Sequence, residues 1–243
     1  LEGFSQPTPP QFEVTVIADQ PPEIRLEAPV ADQHVTPHAD LLFQVTAKDD
    51  LGLREVKLRA EIIPNSMAMS GEGKVTGNPE VIELPLELGG ELPKSATLER
   101  RLSLKQYSLN SGDRITVTFQ ATDAFPGPPL HVTKSAPRQI FIVSPEEKLR
   151  ELADAQSGLL NELERANNTQ TETRNQVRDL QRQWEMAGSL RPQDRDLLQR
   201  TEMQQRQVTS ELNLPGSGIA SRAEELIQQH KQNQLEDTES ISK

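Results

Sequence analysis

At Val143-Ser144-Pro145 the spacing of the apolar residues changes from two to seven. No single type of secondary structure serves both periods, so the junction divides the chain into two kinds of structure. Upstream, Leu41, Phe43, Val45 and Ala47 alternate with Leu42, Gln44, Thr46 and Lys48. Val56, Leu58, Ala60 and Ile62 alternate with Lys57, Arg59 and Glu61, and Ile115, Val117, Phe119 and Ala121 with Thr116, Thr118, Gln120 and Thr122. Alternation over this length marks strands with one face on a core and one in water. Weaker runs lie at 23–28, 81–88, 96–104 and 130–143, separated by turn signals at Asp50-Leu51-Gly52, Gly89-Gly90 and Asn110-Ser111-Gly112-Asp113. Together they predict about seven strands forming an antiparallel immunoglobulin-like β-sandwich over residues 19–143. The aperiodic stretch 64–80 reads as a mobile loop. Residues 11–17 form a further strand-like run, so 1–18 reads as an end strand or linker from a preceding repeat, or as an extra edge strand.

Downstream, Ser144-Pro145-Glu146-Glu147 is a helix start, with Ser as N-cap, Pro in the first turn and Glu placed to close a capping box. The expected seam is Leu149, Leu152, Gln156, Leu159, Leu163, Ala166, Gln170, Thr173, Val177, Leu180, Trp184 and Ala187, a 3-4-3-4 spacing of coiled-coil type. It predicts a helix over 146–187 that Gly188 stops. Pro192 opens a second helix, 192–212, folding back antiparallel on the first, and a third follows over 219–235. Residues 144–243 are thus expected as a helical hairpin or coiled coil plus a short third helix. On the seam, Trp184 is expected to pack beneath the second helix rather than serve as a platform for sugar stacking.

Composition narrows the function. There is no cysteine, so no disulfide or thiolate metal site. A net charge of −11 argues against nucleic acid as a partner. No run of 18 apolar residues is present, so no segment reads as a membrane-spanning helix. Phosphate-loop, nucleophile-elbow, zinc-protease and dinucleotide motifs are all missing, so no catalytic residue is assigned and the chain is not expected to be an enzyme. Of the four histidines, His34 and His38 read as exposed loop residues, and His131 and His230 have no evident partner. Tyr107 reads as a corner tyrosine or an edge residue, and Arg100-Arg101 as a solvated strand face. The chain starts at Leu1 without Met or a signal-like segment and reads as a piece of a longer protein.

One acidic group stands out. Asp49 and Asp50 end the second expected strand, Asp123 ends the sixth, and Asp19 precedes the first. In a seven-strand sandwich the second and sixth strands run the same way, so topology brings Asp19, Asp49, Asp50 and Asp123 to one pole. Clustered carboxylates repel unless a cation sits among them, and calcium tolerates irregular oxygen cages. The alternative is that the aspartates cap turns, as Asp50-Leu51-Gly52 suits. Val45-Thr46-Ala47-Lys48-Asp49-Asp50 with Gly52, Ala121-Thr122-Asp123-Ala124 before Pro128-Pro129-Leu130, and Asp19-Gln20-Pro21-Pro22-Glu23-Ile24 resemble the motifs of cadherin-type repeats. That resemblance implies calcium at the acidic positions. The spacing Ala47-x-Asp49-Asp50-x-Gly52-Leu53, followed by a Gln/Arg/Glu-rich helical tail, resembles a second group: large membrane-anchored bacterial envelope proteins. That resemblance implies sandwich repeats, a membrane-anchored parent and a periplasmic or extracytoplasmic location. The resulting expectation is a non-enzymatic structural or protein-interaction segment, its sandwich a spacer or docking surface and its helices associating with themselves or a partner. A calcium-binding adhesion repeat is the alternative, and a carbohydrate-binding accessory module a lesser one.

Overall fold

The computed structural model describes residues 18–65, 79–189 and 191–235. The expected strand at 11–17 and most of the expected loop at 64–80 lie outside them. Among the described residues there are nine strands: β1 (Glu23–Ala28), β2 (Gln33–Val35), β3 (Asp40–Lys48), β4 (Leu53–Ile63), β5 (Glu80–Leu86), β6 (Ser95–Ser103), β7 (Arg114–Asp123), β8 (Val132–Lys134) and β9 (Arg138–Ile142). They form two sheets, β1-β3-β6 and β2-β9-β7-β4-β5, with β8 paired to the end of β7. The alternating residues face inward as their period requires. Leu41, Phe43, Val45 and Ala47 from one sheet meet Val56, Leu58, Ala60, Ile115, Val117, Phe119 and Ala121 from the other, all buried. Burying such side chains contributes roughly 1.5–3 kcal/mol each for the larger ones. The core holds a ring pair, Phe43 and Phe119, with centroids 5.8 Å apart.

The strand plan differs from expectation in two respects. The run 130–143 divides into β8 and β9: Ser135 still bonds Phe119 of β7, its N–H donating to the carbonyl at 2.8 Å and its hydroxyl accepting from the N–H at 3.0 Å, and Ala136 and Pro137 separate the two strands. β2 was not expected, and it pairs parallel to β9, so the second sheet is mixed rather than purely antiparallel. Three residues are too few to display an alternation.

The helices are α1 (Pro145–Ala187), α2 (Pro192–Asn213) and α3 (Ile219–Gln232). The Glu147 N–H donates to Ser144 Oγ at 3.1 Å, forming the N-cap. At the far end Gly188 adopts a left-handed φ of 66° and closes the last turn. α2 and α3 then return along α1 in succession: Thr201 meets Gln176, Arg222 meets Glu162, and Gln229 meets Lys148. The helical half is therefore one long helix with a broken return limb antiparallel to it.

Where the return limb covers α1 corrects the expected seam. The row Leu152, Ala166, Thr173 and Leu180 is buried as expected. Its companion row is not Leu149, Leu163, Val177 and Trp184, all of which are exposed, Trp184 at 55%. Instead Lys148 is buried and Glu162, Thr169 and Gln176 are half-buried. The seam is rotated by one residue. The return limb ties Glu162, Gln176 and Lys148 into polar contacts and leaves one apolar flank of α1 open. Trp184 is thus not packed under the second helix.

The return limb ends on the sandwich. The Thr36 N–H donates to Asn233 Oδ1 and the Thr36 hydroxyl to the Asn233 carbonyl, each at 2.8 Å and buried. Gln232 bonds Gln33, and Gln234 bonds Asp40. Among the described residues, the sandwich core, from Leu26 to Ile142, contains no residue of α1, α2 or α3, so the two halves are joined by a polar latch.

Candidate metal centre

The four aspartates do gather at the pole opposite the helices. β3 and β7 both end there, so Asp49, Asp50 and Asp123 follow their last core residues, and Asp19 enters beside them ahead of β1. The charges of Asp50, Asp123 and Asp49 all act on Asp19.

Asp49 has two roles on two oxygens. Its Oδ2 accepts from the N–H groups of Leu51 at 3.0 Å and Gly52 at 2.6 Å, so the Leu51-Gly52 turn is capped by Asp49 and not by Asp50. Its Oδ1 is buried and takes no hydrogen bond. The rest of the Ala47-x-Asp49-Asp50-x-Gly52-Leu53 spacing is explained by packing. Ala47 and Leu53 are fully buried, and the Leu53 N–H donates to the Pro93 carbonyl at 2.9 Å. Gly52 has φ +120°, with the Leu92 carbonyl oxygen where a side chain would begin. Asp50 is exposed.

His131 is the residue that reading the sequence missed. Its Nδ1 lies 2.8 Å from Asp123 Oδ2 and 3.1 Å from Asp19 Oδ2. The hairpin places it there: Thr122 pairs with Val132, and the Asp123 N–H donates to the His131 carbonyl at 3.3 Å. Phe125 stacks on the imidazole with an interplanar angle of 12° and centroids 5.4 Å apart. The sequence alone does not mark it, because its place opposite Asp123 depends on the register of the β7–β8 hairpin. The other histidines lie elsewhere. His34, on β2, sits edge-on to Phe141 and 3.8 Å from Glu151, His38 is exposed, and His230 is buried on α3.

The site is a cage of unpaired ligand atoms. The Asp123 side chain is 0% exposed and that of Asp19 8%. Both oxygens of each, with Asp49 Oδ1 and His131 Nδ1, are buried without a hydrogen-bond partner. Buried polar groups are ordinarily satisfied, so this concentration of bare donors to a metal fits a cation. One ligand atom each from Asp19, Asp123 and His131 lies within 4.8 Å of the others.

Burial pushes the Asp19 carboxyl above its ordinary range. Repulsion from Asp50 and Asp123 adds to this, His131 opposes it, and Asp49 adds a smaller share. The folded chain therefore holds a proton that the unfolded chain releases, and between the two pKa values stability falls as pH rises. In chelator, Asp19→Asn should melt above the parent at pH 7, and the gap should close as pH falls toward 4, below which both forms are neutral. Equal melts at both pH values would show that Asp19 is not electrostatically strained.

No family model and no curated protein matches the chain. Among solved structures, the sporulation control protein Spo0M from Bacillus subtilis aligns at 13% identity and TM-score 0.30, over 59% of this chain and 56% of that one. The apo form of the Calx CBD1 domain aligns at 11% identity and TM-score 0.26, over 51% and 98%. A CARDB domain from Pyrococcus furiosus, in complex with di-metal ions, aligns at 14% identity and TM-score 0.28, over 54% and 99%.

Proposed function

We propose that this chain is a non-enzymatic interaction module of an envelope-exposed, membrane-anchored protein. The sandwich serves as a spacer or docking surface, and the helical arm associates with a second copy of itself. The observation behind this reading is the open flank of α1. Leu149, Leu163, Val177 and Trp184 share one heptad row on a 43-residue helix and remain exposed after the return limb has docked. An apolar row repeating at multiples of seven suits another helix with the same repeat, and an identical chain supplies one. The envelope location rests on the Ala47–Leu53 spacing and the order of sandwich and helical arm.

Analytical ultracentrifugation tests the association. The parent chain should show a concentration-dependent dimer, and Leu163→Glu with Val177→Glu should be monomeric at every concentration. Trp184→Ala should weaken the dimer while moving the monomer's stability by less than about 0.5 kcal/mol, as an exposed position allows. A parent chain that stays monomeric up to hundreds of micromolar would refute self-association.

A second reading, a cation-stabilised repeat, is favoured by the unpaired carboxylates at the pole. It is compatible with the first, because the pole and the helical arm lie at opposite ends of the sandwich.

A further inference from the structure

We propose that Asp19, Asp123 and His131 form a binding site for a divalent transition metal of the zinc class, rather than for calcium. The proposal rests on the cation reading of the pole and specifies the metal. The all-aspartate set expected from the sequence is an oxygen cage, and such a cage suits calcium. The structure replaces one oxygen with an imidazole nitrogen. Calcium takes oxygen donors almost exclusively, whereas imidazole suits zinc and its neighbours in the first transition row.

Four observations converge. The first is burial: Asp123 and Asp19 are more than nine-tenths buried, and neither has a hydrogen-bond partner for its carboxylate oxygens. The second is spacing. His131 Nδ1 stands 2.8 and 3.1 Å from one oxygen of each carboxylate without hydrogen-bond geometry to either. Bonds of about 2.0–2.2 Å at a tetrahedral angle set neighbouring donors roughly 3.4 Å apart, so a shared zinc needs His131 and the two carboxylates to part by only about 0.3–0.6 Å. The third is orientation. Phe125, stacked flat on the imidazole, and the backbone bond between Asp123 and His131 hold the ring in place. The fourth is ligand count. Three protein ligands form a partial tetrahedral set, which leaves the fourth position for water.

Asp123 and His131 belong to the β7–β8 hairpin, while Asp19 belongs to the segment leading into β1. A metal held by all three would clamp that segment to the hairpin and set the path by which the chain enters the sandwich.

The test uses the full chain without an affinity tag, stripped with chelator and dialysed. Zinc, calcium and magnesium chlorides are titrated separately by calorimetry and by thermal melting, and cobalt serves as a spectroscopic probe of ligand type. The expected results are one zinc per chain, a raised melting temperature and a cobalt visible spectrum of mixed nitrogen and oxygen ligation. Asp19→Asn lies outside the strands and so leaves the fold intact. It should weaken zinc binding more than about 100-fold, beyond the loss typical of an outer-shell partner. His131→Asn should do the same and abolish the cobalt spectrum. His34→Asn, at the opposite pole, should retain both. If calcium binds as tightly as zinc and survives His131→Asn, the zinc assignment is wrong and the cation reading stands. If no ion binds, both fail, and the pole is a histidine held between two carboxylates.

Discussion

Phe119→Ala should lower the stability of the sandwich by about 3–5 kcal/mol, the cost of removing a fully buried aromatic ring. Phe119 on β7 and Phe43 on β3 come from opposite sheets and are both inaccessible to water. Their rings meet at 5.8 Å with planes 58° apart, so each fills space that the other cannot reach. Truncation removes the ring's burial and opens a cavity between two sheets, each stiffened by its own ladders, that can close over it only in part. The measurement is urea denaturation followed by far-ultraviolet circular dichroism, since the chain's one tryptophan is exposed on the helical arm. A loss below about 1 kcal/mol would mean that the sheets close over the gap and that the ring pair does not set their separation.

Gly52→Ala should cost about 1–3 kcal/mol from backbone strain alone. The residue's φ is +120°, which side-chain-bearing residues rarely adopt, and an added Cβ would stand 2.6 Å from the Leu92 carbonyl oxygen. Relief by movement is obstructed on both sides. The Gly52 N–H is held by Asp49, and the Gly52 carbonyl accepts from the Ala124 N–H at 2.8 Å. Because Ala124 follows Asp123, a shift at Gly52 reaches the metal pole. The variant should therefore also lose metal affinity without any ligand having changed. Unaltered melting and metal binding together would show that the turn tolerates a side chain and that its glycine serves no steric purpose.

Much of the fold was legible in the sequence because its cause is local. Alternation at β3, β4 and β7 is a property of successive residues, and those residues are buried in the pattern they imply. The helix start at Ser144-Pro145 and the stop at Gly188 also depend on neighbours alone. β2 escaped notice because three residues carry no period, and its partner, β9, lies more than a hundred positions away.

The pole was half legible. Asp19, Asp49, Asp50 and Asp123 could be brought together by counting strand directions, since the ends of two strands that run the same way share a pole. His131 could not, because its place depends on the register of the β7–β8 hairpin, and a shift of one residue there would turn it away.

The helical arm draws the line most sharply. By itself the amino-acid order determined that α1 is a helix and that Leu152, Ala166, Thr173 and Leu180 line its buried row. It left undetermined which flank of that row the partner covers, because apolar residues lie on one side and Lys148, Glu162, Thr169 and Gln176 on the other. The tertiary structure resolved this through contacts made elsewhere. The return limb must end where Asn233 reaches Thr36, and on the way Arg222 pairs with Glu162 at 2.5 Å. Those long-range constraints place α2 and α3 over the polar flank and leave Leu149, Leu163, Val177 and Trp184 facing water. Periodicity reports which residues of a helix share a face, but the positions of distant anchors decide which face is covered.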